Sequence, residues 1–331
     1  MDFIEIAKTY MMSAWISVLK TFADPSSFLS AGPLIVAFVV AFAVIYVRLA
    51  LRSGSWIVRP RKMMRMLFPK RIFLHESAKM DYLILLINNG LLFFLTISLV
   101  LTPAAIAEFI YWLGAELGDG STAGNTTLLH RIVFTLVLVL AWDFGATYSH
   151  YLKHTVPVLW EFHKVHHSAE VMTPATALRR HPVDVIVGAV VTTLSLGVAT
   201  GLWYITIGKG TEAFTIFGAW AGIYLWRLLG YNLRHTHIWI SYGDFWNRIF
   251  ISPAQHQIHH SVEVRHYNKN FGHIFSFWDA LFGTLYLPRH EERVRFGIEE
   301  HEMEDFRSVS GVYLKPVLKS LSPKNYLSSN K

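Results

Sequence analysis

The chain has 331 residues, 53% hydrophobic and 15% aromatic, with a mean hydropathy of +0.34. Only 16% are charged, against roughly 25% in soluble domains, which argues for a membrane protein. The net charge of +7 fits basic loops facing an anionic leaflet better than nucleic acid, and the lack of cysteine excludes disulfides, cysteine-bound zinc, iron–sulfur clusters and thiolate haem.

The first residues carry Asp2 and Glu5 where a signal peptide carries positive charge, so no cleavable signal is expected. Residues 3–22 are mildly amphipathic and suit the interface. Residues 33–51 form the first spanning candidate, with Arg48 near enough to its end to snorkel. A basic segment follows, from Arg52 through Arg59, Arg61, Lys62, Arg65, Lys70 and Arg71 to Lys79, and the positive-inside rule makes it cytoplasmic. Residues 82–101 span next, with Asn88 and Asn89 read as amides that bond across helices. Residues 102–130 hold Glu108, Glu116 and Asp119 and fit the outer side, with a short interfacial helix in AAIAEFIYWLG. Asn125-Thr126-Thr127 matches a glycosylation acceptor, a motif frequent by chance.

Residues 132–149 return inward and deliver His150 to the cytoplasmic face. Residues 183–207 and 213–229 form a further hydrophobic pair, crossing or dipping in and out, joined by a turn at Gly208-Lys209-Gly210-Thr211 that lacks the spacing of a phosphate loop. The expectation is an all-α integral membrane bundle of about five hydrophobic segments, N-terminus outside, with a histidine-rich di-metal domain on the cytoplasmic face. The chain divides into a transmembrane region (1–129), a histidine-bearing domain (130–288) and a polar tail (289–331).

Thirteen of the 17 histidines fall between His150 and His273. His150 and His154 are four apart, His163, His166 and His167 read H-x-x-H-H, and His256, His259 and His260 repeat that spacing. On a helix, residues three and four apart share a face, so each group presents its imidazoles together. Neutral imidazole suits iron, zinc, copper and nickel. These eight, with His235 as a ninth and His181 as a tenth, are too many for one ion and about right for two. A lone histidine is usually a satisfied polar residue, and His75, His130, His290 and His301 are read so. His237, His266 and His273 lie near the set without its spacing. Carboxylates that can orient the ring nitrogens are Asp143, Glu161, Asp184, Glu263 and Asp279, with Asp143 preferred.

Several stretches then resemble the fatty acid hydroxylase and sterol desaturase superfamily of membrane di-iron oxygenases. Asp143, Tyr148 and His150-x-x-x-His154 resemble its first box, and LWEFHKVHHS (159–168) its second. Arg180-His181-Pro182 with Asp184 resembles R-H-P-x-E, His235 an isolated histidine, and PAQHQIHHS (253–261) the last box. Asn270-Phe271-Gly272 and Trp278-Asp279 to Thr284 resemble the closing element. The first box lacks the arginine often found after its first histidine, and His237 stands where asparagine is frequent. The resemblance covers 130–288 closely and the earlier segments in hydropathy only.

It implies two irons (zinc can replace them in preparations), O2 and a membrane lipid. The lipid's C–H bond is hydroxylated or, on the same scaffold, desaturated. An acyl or polar amino lipid such as an ornithine lipid is favoured over a sterol, and a bacterial inner membrane is the expected location. Trp220, Trp226 and Tyr231 can line the lipid's path. With no flavin, nicotinamide or haem-attachment motif, electrons are expected from an external ferredoxin or cytochrome with its reductase. A reading from another class is a membrane metal carrier or a bis-histidine haem carrier. Clusters at the ends of hydrophobic segments argue against transport, and nine histidines are more than a haem needs.

Overall fold

In the computed structural model the described residues are 19–96, 102–117 and 126–322, with 5, 12, 15 and 16 ahead of them. Asn125, Asp119, residues 97–101 and most of the amphipathic N-terminal stretch lie outside them. The chain is helical apart from one small hairpin among the described residues.

The first long helix, α1 (Ala31–Ser53), is built from a nearly unbroken apolar run and ends where Gly54 turns left-handed at φ 65°. α2 (Pro60–Leu67) opens on proline, whose fixed φ suits a first helical position. It packs Met63 and Leu67 against Ile45 and Leu49 of α1 and leaves Arg59, Arg61, Lys62 and Arg65 exposed. α3 (Glu76–Thr96) follows, then α4 (Pro103–Leu117). α5 (Leu128–Thr155) is the longest helix, started by a reciprocal cap between Thr127 and His130. Pro157 begins α6 (Pro157–His167), and Pro182 begins α7 (Pro182–Thr206).

Small residues let these helices close on one another. A Cβ on Gly145 of α5 would lie 2.8 Å from the Thr192 Cα of α7. Gly197 and Gly201 of α7 face Ile106 and Ile110 of α4, where a Cβ would come within 2.4 and 2.6 Å of their Cβ atoms. This is the small-x-x-x-small packing by which helices approach in lipid. Asn88 and Asn89 do bond between segments: Asn88 donates to the Arg180 carbonyl (2.7 Å) and accepts from the Tyr313 hydroxyl (2.9 Å), and Asn89 accepts from Thr21 (3.0 Å).

Among the described residues three helices, α1, α5 and α7, are long and apolar enough to cross a membrane. Five hydrophobic segments were expected. The stretch 213–229 is not a single helix. Phe217 and Gly218 adopt φ of 49° and 78° and turn β1 (Thr215–Ile216) back on β2 (Ala219–Trp220). A short helix, α8 (Ala221–Trp226), then runs through a π-helical turn to Arg234 and leads back towards α5. The Gly208–Thr211 stretch is a turn, with Gly208 and Gly210 at φ 104° and 95°.

The remaining elements close over one end of α5 and α7. α9 (Pro253–His259) starts at a Ser252–Gln255 reciprocal cap. α10 (Phe277–Phe282) ends at a left-handed Gly283. α11 (Val309–Ser320) lies against α6, and Val312 and Phe306 pack there with Val165 and Ile84.

Candidate metal centre

Each histidine is placed by a short element. α5 carries His150 and His154 one turn apart at its end. The break at Pro157 turns the chain so that α6 presents His163, His166 and His167 to them. His235 follows the last turn after α8, and α9 brings His256 and His259, with His260 capping its end. Nine imidazoles meet in two adjoining groups. His150, His154, His163, His167 and His259 form one, and His166, His235, His256 and His260 the other, the ligand atoms within each lying no more than 4.8 Å apart. The groups touch: the rings of His167 and His260 are 4.4 Å apart, centre to centre.

The outer nitrogens of the first group are held by acceptors. His163 Nδ1 bonds Asp184 Oδ1, His150 Nδ1 the Phe271 carbonyl and His259 Nδ1 the Lys269 carbonyl, all at 2.8 Å. A ring that donates from Nδ1 leaves an Nε2 lone pair facing inward. The Nε2 atoms of His154, His163, His167 and His259 are buried without a protein partner. In the second group the Nε2 atoms stand 2.9–3.2 Å apart. Two nitrogens at right angles, each about 2.1 Å from one ion, would be roughly 3.0 Å apart. Unpartnered nitrogens in the first group and imidazoles crowded nitrogen to nitrogen in the second fit a cation between them, and the all-nitrogen donor set suits a borderline transition metal.

Burial holds these rings neutral, as ligation requires. It pushes His166, His167, His235, His256 and His260 well below the usual imidazole range; crowding by the other imidazoles, and the Arg234 guanidinium at His235 and His256, oppose protonation further. His259 is pushed down to about 3 by burial, against the opposing Lys269 carbonyl bond. His163 is lowered by burial despite the Asp184 carboxylate, which favours its charged form.

The tenth histidine, His181, stands apart. It caps α7, its Nδ1 accepting from Val183 N and its Nε2 donating to the Tyr313 carbonyl, both at 3.1 Å. With both nitrogens engaged it joins neither group. Asp143 also departs from expectation. Seven residues of helix separate it from His150, about 10 Å along the axis. Its carboxylate instead accepts from Ile274 N (2.7 Å), Phe275 N (3.1 Å) and Trp278 Nε1 (2.9 Å), pinning the segment after His273. Asp184 does reach a clustered histidine. Its oxygens take His163, Lys153 Nζ (3.1 Å) and Arg180 Nε (2.7 Å).

Of the other carboxylates, Glu161 pairs with Lys164 and Glu263 with Arg265. Asp279 accepts from Phe271 N and Gly272 N and so shapes the turn whose carbonyl holds His150. His237 bonds the Met66 carbonyl and His266 faces Glu292. His273 is half-buried beside His150, its Nδ1 inaccessible and unpartnered, outside both groups. The carbonyl partners, Lys153 and Arg234 have no sequence signature of their own. Arg234 donates to the Gly272 and His273 carbonyls and lies 3.1 Å from His256 Nδ1. Its position beside His235 was the one available hint.

Two cavities flank the histidines. One, of about 360 Å³, is lined by His150, His163, His166, His235 and His256, with Lys153, Arg180 and Arg234 across from them. The other, about 240 Å³, lies against His154, His167, His259 and Trp160. An apolar groove of about 510 Å³ adjoins the first and shares Arg234 and His273 with it. Trp226 lines both the groove and, through its ring contact, the His273 face, while Tyr231 lines the chamber. Trp220 packs against Val139 and Ile223.

The fatty acid hydroxylase profile matches residues 135–284, the stretch that supplies every one of these histidines. That stretch is similar to the fatty acid hydroxylase family. The chain is 28% identical over 168 residues to an ornithine lipid hydroxylase of Rhizobium tropici, covering 49% of this chain and 44% of the relative. It is 23% identical to the human alkylglycerol monooxygenase (50% and 33% covered) and 30% identical to a Delta(7)-sterol 5(6)-desaturase of Aspergillus fumigatus (47% and 50%). The chain thus spans half or less of these relatives' lengths. No solved structure matches.

Proposed function

We propose that this chain is a membrane lipid hydroxylase that holds two irons in its histidine groups. The observation that carries this reading is the pair of adjoining buried groups whose inner nitrogens converge beside a cavity that shares Arg234 and His273 with an apolar groove. His150, His154, His163, His167 and His259 would hold one ion, and His166, His235, His256 and His260 the other. Iron there supplies the activation of O2 for attack on a C–H bond. One oxygen atom enters the bond and the other leaves as water, with two electrons and two protons delivered from outside.

The remaining work belongs to the protein. Asp184 and the Phe271 and Lys269 carbonyls fix the rings, and the apolar walls keep water from the reacting carbon. The histidines stand at the end of α5 opposite its Leu128 start, and we place that end on the cytoplasmic side with the basic α2 segment. Electrons come from a soluble ferredoxin or a cytochrome with its reductase. The relatives' names favour a polar or ether lipid, with a sterol or acyl chain on the same scaffold. Desaturation is the second reading, favoured by the likeness to a sterol desaturase.

Comparative lipid mass spectrometry under air and 18O2, on cells with and without the protein, tests this. A lipid heavier by 16 mass units, or 18 with the label, supports hydroxylation, and a loss of two supports desaturation. No oxygen-dependent change in cells supplied with iron and donor refutes both.

A further inference from the structure

The chamber beside the histidines is cationic, and the apolar groove stops short of it. Lys153 and Arg180 share a single carboxylate, Asp184. Arg180 commits Nε to it, and its terminal nitrogens make no further hydrogen bond among the described residues. Gly188 leaves the space in front of both: a Cβ there would lie 3.2 Å from Lys153 Nζ and 3.5 Å from Arg180 Nη2. Arg234 adds a third cation at the mouth of the groove. The groove itself is walled by Leu136, Val139, Leu225, Leu229 and Ile274, and it meets the chamber only at Arg234 and His273.

A substrate running from the groove into the chamber therefore leaves hydrocarbon walls for a space lined by cations and histidines together. An alkyl chain entering end-first would cover the part-exposed Arg180, whose terminal nitrogens have no acceptor among the described residues, and give nothing back, at a cost of kilocalories. A head bearing an anionic oxygen, carboxylate or phosphate, would pair with them instead.

We propose that the lipid is held head-inward. Its anionic head lies against Lys153, Arg180 and Arg234, its tail lies in the groove, and oxidation falls on the head or on the first few carbons beside it. This rests on the hydroxylase reading and adds the position of attack and the class of substrate.

Two measurements test it. The first uses cells whose membranes contain phospholipids and an ornithine lipid, expressing the full chain under 18O2, with tandem mass spectrometry separating head fragments from released acyl chains. Label in the head or next to it is expected. Label in the interior or at the end of an acyl chain overturns the proposal while leaving hydroxylation standing, whereas no labelled lipid at all removes the hydroxylase reading beneath it.

The second needs no turnover. Native mass spectrometry of the purified protein compares retention of phosphatidylglycerol, ornithine lipid and uncharged diacylglycerol with matched tails. At least one of the two anionic-oxygen heads should be retained roughly tenfold over diacylglycerol, the scale of one charge-assisted hydrogen bond, and which one identifies phosphate or carboxylate. Equal retention of all three overturns the head-inward pose. Leu225→Trp, which fills the groove away from the cations, should move the retained lipids to shorter tails. An unchanged tail distribution shows that the groove is not the tail's path.

Discussion

Asp184 has one carboxylate and three partners: Lys153, Arg180 and His163. A buried charge is tolerable only when paired on this scale, and the same carboxylate sets which nitrogen of His163 faces inward. Contrast His181, three residues earlier, whose two nitrogens serve a helix cap and a carbonyl. The two environments separate a candidate ligand from a cap. His181→Asn, which keeps a capping side chain, should leave the iron content of the purified protein unchanged. His259→Ala and His166→Ala should each lower it and abolish turnover, with membrane insertion intact; metal analysis beside a lipid assay reads both.

Acidity acts on the same rings. In the apo protein burial lowers the imidazoles, His259 to about 3, whereas the unfolded chain titrates near 6.5. Between these values the unfolded state binds more protons, so stability rises with pH. The apo protein should be most stable above about pH 6.5 and lose stability steadily towards pH 3, as thermal melts across that range would show. H-x-x-H-H was legible because helical spacing alone places such residues on one face. His181 misled because R-H-P carries the same letter for a different task. Carbonyl partners such as Phe271 and Lys269 leave no trace in sequence, since every residue has one.

Among the elements, α11 is the one whose role sequence did not suggest; it lay in a tail read simply as polar. Together with the turns just before it, α11 braces α6: Phe306 and Val312 pack on Val165, and Lys164 sits between Glu161 and Glu302. The helix that carries three candidate ligands is thus held from behind by residues outside the family-matched stretch. Phe306, 1% exposed, should cost about 3–5 kcal/mol when replaced by alanine. The loss would appear as a lower melting temperature, and as partial loss of iron although no ligand is touched. Long apolar runs gave α1, α5 and α7 directly. The stretch 213–229 did not become a helix because hydropathy counts composition, while the positive φ of Phe217 and Gly218 decides the turn.

At the scale of the whole molecule, three apolar helices carry a polar domain at one end, and that domain is held by residues far apart in sequence. If the groups bind iron in the folded form alone, as proposed, it stabilises that form by mass action, about 4 kcal/mol at a thousandfold excess over the dissociation constant. The loaded protein should therefore melt well above the chelated one, and adding iron back should restore the difference. If the two melt together, the groups do not hold metal in the folded state.

The division of ligands along the chain has a consequence for how the protein is made. Four of the five histidines of the first group, 150, 154, 163 and 167, emerge from the ribosome together, and only His259 comes late. The second group draws one residue, His166, from that early segment and waits for 235, 256 and 260. A nascent chain can thus nearly assemble one site before the other exists at all. If the two groups hold iron as proposed, their filling has a built-in order, and a cell short of iron would accumulate protein filled at the early site and blank at the late one.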